Sequence, residues 1–388
     1  MPARSRRGFA GIAIAALLGL AACAPQPSRP LIIGAAPPIG AAPVARAAML
    51  LPMSGPQAPL GQALLNAGTM GLFDEAPGGV EFAPRDTGGT PGGAAAAARA
   101  AIGEGARILV GPLTSTEAAA VAPVAAAAGV PVLAFTNDAQ RSGPSAWVLG
   151  VTPQQQVRRV VAAAARNGAQ RFVLAAPNNE FGRALASALR EATSDLGLPS
   201  PTIALHPPSA DPAMAAGAAR AAAPQADALL LGEGGNRARR FAAAYLGETA
   251  SADPAAMEGG ARPRLLGTAL WLTDTSLRGE PALAGAWFPG PDANARARFE
   301  GRYRDLFQQP PPRIAAAAYD AAALAARALR SGTPIDVLTA QQSFYGADGP
   351  VRLLPNGQTL RGLAIYALSP TGDALPVEPA SDPVGPGF

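Results

Sequence analysis

The fold is decided by the stretch GARILVGPLTS, residues 105–115, in which a short apolar run leads through glycine and proline into hydroxyl residues. The run from Arg107 to Val110 predicts a buried strand, and Thr114 and Ser115 are residue types that commonly begin a helix. A strand that turns directly into a helix is the repeating unit of a parallel sheet covered by helices. This stretch therefore predicts an α/β fold.

The same unit recurs on both sides of this stretch, where short apolar runs alternate with longer alanine-rich segments. The predicted strands cover residues 45–51, 80–86, 107–110, 130–135, 171–175, 202–205, 228–231, 264–267 and 285–288. The predicted helices cover residues 60–73, 92–103, 115–128, 154–167, 181–196, 212–222, 236–246, 294–307 and 313–330. A hairpin that turns at residues 355–357 closes the chain. This order predicts two doubly wound, Rossmann-like lobes.

The composition excludes most of the familiar catalytic chemistry. The 388 residues contain no lysine, so all 31 basic residues are arginine, and there is one His and one Cys. Without lysine, the chain can form neither a P-loop nor a Schiff base, and with one His and one Cys it cannot form a zinc site built from several such ligands. A hydrolase that works through Ser, Asp and Glu alone stays open, but no G-x-S-x-G motif supports it. We therefore expect no catalytic residue, no metal ligand and no cofactor, in a protein that is not an enzyme.

Residues 1–22 have the features of a secretory signal peptide. Three arginines precede a 12-residue apolar run, which ends at LAAC, residues 20–23. This ending resembles the lipobox of bacterial lipoproteins, which implies that Cys23 carries a diacylglycerol after cleavage. The chain has no second cysteine for a disulfide, and the run is shorter than the roughly 20 residues of a spanning helix. An ordinary cleaved signal peptide is the alternative.

Residues 23–43 are rich in proline and alanine, which predicts an extended tether between the lipid and the folded body. Removal of the signal peptide takes away three arginines and leaves 28 Arg against 27 Asp and Glu. A chain so close to neutral does not predict a nucleic-acid partner. We expect contact with the membrane through the lipid anchor only.

An ordered set of motifs resembles the type I periplasmic binding proteins, the family of the leucine-binding proteins. The motifs are LPMSGP (51–56), DTGGTP (86–91), GARILVGPLTS (105–115), GVPVL (129–133), NNEFG (178–182) and FYGADG (344–349). The resemblance covers residues 44–370. Within the family, LGQALLNAG (60–68) and residues 86–111 are most similar to the lipoproteins that activate penicillin-binding proteins.

The resemblance implies a bilobed, Venus-flytrap architecture in which the chain crosses between the lobes three times. The crossings are expected near residues 151–153, 288–292 and 345–350. The first lobe then comprises residues 44–150 plus 290–345, and the second lobe comprises residues 151–289 plus 346–388. Each lobe is therefore expected to be discontinuous in sequence.

Polar residues that follow three predicted strands mark a candidate ligand cleft. Ligands of open α/β sheets bind at the carboxyl ends of the strands, where helix N-termini also present unpaired N–H groups. The candidate residues are Ser54 after the first strand, Thr114, Ser115 and Thr116 after the third, and Thr136 and Asn137 after the fourth.

In amino-acid receptors of the family, the loops that correspond to Thr114 and Thr136 hold the ligand carboxylate, and the second lobe supplies an aromatic ring and an acid. The resemblance implies that Phe181 and Glu233 take the last two roles, with Glu233 pairing an ammonium group. Two alternatives remain open: Thr114 or Ser115 only caps a helix, and Phe181 only packs in the core. Asp320 is expected at a solvated helix position.

Two functions compete. One is an activator of a penicillin-binding protein, that is, a peptidoglycan synthase, and the other is a solute receptor that delivers an amino-acid-like ligand to an ABC permease. A permanent lipid anchor favours a partner at a fixed position, although receptors of Gram-positive bacteria are also lipidated. We therefore expect an activator whose body lies in the periplasm and whose anchor lies in the outer membrane.

Overall fold

The computed structural model describes residues 45–247, 262–331 and 334–384. The predicted signal peptide, Cys23 and the predicted tether lie outside the described residues. Within the described ranges, the strands form three sheets, and no helix is long and apolar enough to cross a membrane.

The first lobe is built on a parallel five-stranded sheet, whose spatial order is β2-β1-β3-β4-β5. Its strands are β1 (Ala45–Leu51), β2 (Val80–Asp86), β3 (Ala106–Val110), β4 (Val132–Ala134) and β5 (Ala146–Val148). The intervening helices are α1 (Ala58–Glu75), α2 (Pro91–Gly103) and α3 (Ser115–Ala127). The first four strands and all three helices match the sequence predictions, whereas β5 was not predicted.

Both faces of this sheet are buried, because successive side chains of a strand point to opposite faces. On β1, Ala48 and Leu50 pack against α2 and α3, while Met49 and Leu51 pack on the other face. That second face is covered by α1 and by two helices from late in the sequence, α8 (Ala293–Phe307) and α9 (Ala315–Arg330). The first lobe is therefore discontinuous in sequence.

The second lobe is built on a seven-stranded sheet in the order β15-β14-β10-β9-β8-β6-β7, in which only β14 runs opposite to the other six strands. The strands are β6 (Phe172–Pro177), β7 (Thr202–His206), β8 (Ala228–Leu231), β9 (Arg264–Leu266), β10 (Trp287–Gly290), β14 (Ala364–Leu368) and β15 (Ala374–Glu378). Helices α4 (Pro153–Arg166) and α5 (Glu180–Asp195) cover one face, and α6 (Pro212–Ala222) and α7 (Gly235–Leu246) cover the other.

A short helix, α10 (Pro334–Leu338), and a small antiparallel sheet complete the body. The sheet comprises β11 (Phe344–Gly346), β12 (Gly349–Leu353) and β13 (Thr359–Arg361), and the hairpin between β12 and β13 turns at the predicted residues.

This small sheet belongs to the first lobe. Val351 and Leu353 lie in the same core cluster as the first sheet, whereas Ala364 and Tyr366 lie in that of the second. The chain thus crosses between lobes after β5, after β10 and after β13. The third crossing follows Arg361, whereas it was expected near residues 345–350, so residues 346–361 lie with the first lobe and not with the second. The physical reason is that Val351 and Leu353 of β12 are buried in the core cluster of the first lobe.

Gly111 explains why the fold-deciding stretch contains a glycine directly after β3. Its φ of +96° lies in a region that side chains disfavour, and a Cβ atom there would collide with the Leu50 carbonyl oxygen. Glycine is therefore required at this position for the chain to turn from β3 toward α3 while it stays in contact with β1.

Candidate functional site

Two adjoining cavities, of about 750 and 450 Å³, lie between the lobes at the carboxyl ends of the strands. The loops after β3 and β4 contribute from the first lobe. The start of α5 and the short 3-10 turn Ala269–Thr273 contribute from the second lobe. Cavities of this size are typical of small-molecule sites, so this interlobe cleft is the candidate site.

Five of the eight predicted cleft residues line these cavities. Ser115 and Asn137 line both, Thr114 and Thr136 line the smaller one, and Phe181 lines the larger one. The other three, Ser54, Thr116 and Glu233, line neither cavity.

Thr114 is the N-cap of α3. Its side-chain oxygen accepts a hydrogen bond from the Glu117 backbone N–H, and the Glu117 carboxylate accepts one from the Thr114 backbone N–H. This reciprocal arrangement satisfies two backbone donors at the helix start. Thr114 therefore caps α3, as one of the two alternatives from the sequence states.

Ser115 is engaged by a carboxylate of the protein itself. Its Oγ donates a hydrogen bond of 2.5 Å to Asp138 Oδ2, which also accepts one of 3.0 Å from Arg141 Nε. Burial raises the pKa of Asp138, but the hydrogen bonds from Ser115, Gln140 and Arg141 outweigh burial, so its pKa lies below the usual value. A fixed negative charge therefore stands at the N-terminus of α3.

Glu233 is engaged inside the second lobe. Its carboxylate accepts hydrogen bonds of 2.8 and 3.1 Å from Arg237, and His206 Nε2 lies 3.4 Å away. The backbone oxygen of Glu233 accepts a hydrogen bond of 2.9 Å from the buried Trp271 indole. The Glu233 side chain is buried. The carboxylate that was expected to pair with a ligand ammonium group therefore faces Arg237 instead of the cleft.

Ser54 and Phe181 have local roles as well. The backbone N–H groups of Met53 and Ser54 donate to Asp86 Oδ1 at 2.9 and 3.2 Å, which holds the loop after β1. The Ser54 side chain is the largest contributor to lowering the pKa of Asp86. Phe181 packs partly against the core beneath α5 while it lines the larger cavity. Both interpretations of Phe181, core packing and cleft lining, therefore describe part of its surroundings.

The residues of the smaller cavity that were not predicted from the sequence include Leu270, Arg313 and Asp348. Leu270 is 57% exposed. The Arg313 guanidinium donates a hydrogen bond of 2.6 Å to the Ala269 carbonyl oxygen and so connects the two lobes. Asp348 pairs with Arg296 at 2.8 Å. Asp348 lies in the FYGADG motif, but the motif does not show that it lines the cleft, because segments distant in sequence meet there only after the lobes assemble.

Among the residues that the structure describes, no group of three or more His, Cys, Asp or Glu side chains is placed to hold a metal ion.

The model of a protein family described as periplasmic binding protein matches residues 45–373. The chain belongs to this family. Membership in the periplasmic binding protein family places the protein in the periplasm or cell envelope. Comparison with the curated proteins gives no match.

Solved structures of periplasmic binding proteins share the fold at low sequence identity. A putative branched-chain amino acid ABC transporter protein from Rhodospirillum rubrum has a TM-score of 0.73 and 20% identity, covering 86% of this chain and 100% of its own. A solute-binding protein from Rhodopseudomonas palustris, in complex with 3,4-dihydroxybenzoic acid, has a TM-score of 0.57 and 18% identity, covering 88% and 98%.

Full-length LpoA from Haemophilus influenzae has a TM-score of 0.66 and 18% identity, covering 86% of this chain. The match spans 59% of the LpoA chain, so this protein corresponds in fold to part of LpoA. The solved structures thus include both solute-binding proteins of transporters and LpoA, and the likeness at these identities is one of fold.

Replacing Glu233 by alanine is expected to lower the free energy of unfolding by about 1–3 kcal/mol, because Arg237 loses the acceptor of its hydrogen bonds and His206 loses the carboxylate that lies 3.4 Å from its Nε2. Urea denaturation measures the change. Glu180→Ala, at the exposed start of α5, is the control and should change stability by less than about 0.5 kcal/mol. Equal stability of the two variants would contradict the structural role given to Glu233.

Proposed function

We propose that this protein is a lipid-anchored, non-enzymatic activator of a peptidoglycan synthase, that is, of a penicillin-binding protein, and that its bilobed body acts by contacting that enzyme. The observation that carries the proposal is the Asp138 carboxylate at the N-terminus of α3. In amino-acid receptors of this family, the loop that corresponds to Thr114 and Ser115 holds the ligand carboxylate. Here a second carboxylate would be repelled by the first and would find the Ser115 hydroxyl already engaged.

The other end of an amino acid also lacks an open partner. The Glu233 carboxylate is paired with Arg237 and lies against His206, away from both cavities. An ammonium group would have to displace Arg237 to reach it, which costs the existing charge-assisted hydrogen bonds. Both predicted anchors for an amino acid are therefore satisfied within the protein, which favours a function of the body surface over amino-acid delivery.

The predicted anchor and tether support the same function. A body held by Cys23 and residues 23–43 searches only a thin layer above its membrane. Confinement raises the effective concentration of the body for a partner that is itself fixed near that layer, without any new contact. The sequence resemblance to the activator lipoproteins is the remaining support, and it is an argument from family likeness.

A solute receptor of an ABC transporter is the second candidate, and one observation favours it. The smaller cavity combines the exposed apolar side chain of Leu270 with the Arg313 guanidinium, which suits an apolar carboxylate. One structural neighbour in the family is described in complex with 3,4-dihydroxybenzoic acid, a ligand of this chemistry. Such a ligand would not need Ser115 or Glu233.

Binding assays with the purified full-length protein separate the two candidates. We expect direct binding to a penicillin-binding protein from the same host, with stimulation of its peptidoglycan synthesis, in wild type and in Arg313→Gln alike. Calorimetry with amino acids and with benzoate is expected to give no binding heat. The proposal is wrong if no synthase binds while an amino acid or benzoate binds and Arg313→Gln abolishes that binding. Dependence of a neighbouring permease on the protein would confirm the receptor.

A further inference from the structure

The segment that follows β15 passes from the second lobe to the first lobe. β15 pairs with β14 in the second sheet. At its end, Glu378 Oε2 accepts a hydrogen bond of 2.9 Å from Arg159 and one of 2.7 Å from Arg166, both on α4 of the second lobe. The chain then leaves this sheet, and we name residues 379–384 the C-terminal strap. One end of the strap is therefore fixed to the second lobe.

The other end of the strap is attached to the first lobe through β11. The Tyr345 hydroxyl donates a hydrogen bond of 2.5 Å to Asp382 Oδ1. Phe344, the residue before Tyr345, lies in the core cluster of the first lobe. Beyond Asp382, Pro383 is buried, and the Val384 backbone N–H donates to the Asp382 carbonyl oxygen at 2.8 Å. The strap therefore ends on the small sheet and not on the second lobe.

The middle of the strap packs on the third crossing between the lobes. Gly362 lies between β13 and β14, and a Cβ atom there would collide with the Ser381 carbonyl oxygen and crowd the Pro350 ring. Gly362 does not have a positive φ, so its backbone conformation does not require glycine. Ala380 packs against the core cluster of the second lobe. The missing side chain at Gly362 thus makes room for the strap to pass over the crossing.

The strap is a short link in addition to the crossings. Lobes of hinged proteins change their angle by rotation at the few residues that cross between them. Glu378 and Asp382 are four residues apart, so their Cα atoms can separate by no more than about 14 Å. A wider change of angle requires one end to detach. Tyr345 is 68% exposed, so water can replace its bond to Asp382 more easily than it can break the contacts of the core.

We propose that the C-terminal strap restrains the angle between the two lobes, and that its release from Tyr345 allows a wider range of angles. Both cavities of the interlobe cleft are lined by residues of both lobes, so the strap also controls how far the cleft can open. The proposal does not depend on which envelope partner the body contacts or on whether the cleft holds a ligand.

Distances between two spin labels, one on each lobe, test the restraint. The full chain with Cys23→Ser has no cysteine, so Arg99→Cys on α2 and Arg190→Cys on α5 add two exposed labelling positions. We expect double electron–electron resonance to give a narrow distance distribution in this parent. Ending the chain after Pro379 should widen the distribution about twofold or add a second maximum. The matched control ends after Val384, keeps the strap and should match the parent.

A second variant leaves the chain at full length. Tyr345→Phe with Asp382→Ala removes the hydrogen bond at the end of the strap and should widen the distribution in the same direction by a smaller amount. Circular dichroism establishes that each variant is folded. The restraint is overturned if ending the chain after Pro379 leaves the distribution unchanged, or if ending it after Val384 widens it equally. Should the shorter chain fail to fold, an unchanged distribution in the double substitution overturns the proposal.

Discussion

Asp320→Ala is expected to lower the free energy of unfolding at pH 7 by about 3–5 kcal/mol, because it leaves a buried guanidinium without its counter-charge. Asp320 lies on α9, fully buried, with Oδ2 at 3.1 Å from Arg361 Nη1 and Oδ1 accepting the Ala347 backbone N–H at 2.7 Å. Arg361, also buried, donates to the Leu149 carbonyl oxygen at 3.0 Å. The pair thus joins α9, the small sheet and the first crossing.

Urea denaturation of two further variants makes this measurement specific. Glu81→Ala breaks the exposed pair with Arg46 and should cost no more than about 1 kcal/mol. The double variant Asp320→Leu with Arg361→Met removes both charges and should be more stable than Asp320→Ala alone. If the double variant is less stable than Asp320→Ala, the loss does not come from an unpaired charge.

The same residue is expected to contribute a pH dependence. Burial raises the pKa of Asp320 to about 6, against the opposing effect of Arg361. The folded state therefore holds this proton more tightly than the unfolded chain, in which an aspartate has a pKa of about 3.9. The stabilisation from protonation is present below about pH 4 and is lost as the pH rises through 6. Asp320→Asn should remove this part of the stability profile.

Cys23→Ser is expected to move the protein completely from the membrane fraction to the soluble fraction. The lipobox-like ending LAAC and the absence of any other cysteine motivate the prediction. A lipid chain contributes about 0.8 kcal/mol per buried CH₂ group, and no described helix is long and apolar enough to substitute as a span. Fractionation and incorporation of labelled fatty acid measure the change.

The control for this variant is Ser28→Ala, a substitution within the same proline-rich segment that leaves the thiol intact. It should remain in the membrane fraction and incorporate label as wild type does. Retention of Cys23→Ser in membranes, or unchanged labelling, would contradict lipidation at this residue.

Most secondary structure could be predicted because it depends on local patterns. The predicted strand over 228–231 has the observed bounds, as does the predicted helix over 212–222, which begins after the N-cap Asp211. Three strands at sheet edges, β5, β11 and β15, were missed. β5 has three residues, and β15 contains Pro376 and exposes Leu375 and Val377. β15 buries little, so hydrophobicity marks it weakly, whereas β5 buries Trp147 and Val148 but is too short to show a pattern.

The cleft was predicted only in part. The loops after β3 and β4 could be located because parallel strands place their carboxyl ends at one edge. The partners of the side chains in the cleft could not be predicted, because they are distant in sequence. Ser115 bonds to Asp138, 23 residues later, and Arg313 bonds to Ala269, 44 residues earlier. The role expected for Glu233 presumed a carboxylate open to a ligand, whereas the structure pairs it with Arg237 one helical turn later.

Asp320 was expected at a solvated helix position, and this expectation is wrong. The helix sequence around it is mostly alanine, which does not distinguish one face from another. α9 is buried on nearly every side because sheets and helices pack around it. The counter-charge that compensates for the burial of Asp320 comes from Arg361, 41 residues later in the sequence.

By itself, the sequence determined the α/β class, the family and most of the strands and helices, because apolar runs, capping residues and glycine turns act over a few neighbouring residues. Tertiary structure alone decided which lobe the small sheet joins, which carboxylates are paired, and which side chains meet in the interlobe cleft. Those features depend on burial and on charges brought together by sheet order, and the free energy of a charge depends on neighbours that local sequence does not specify.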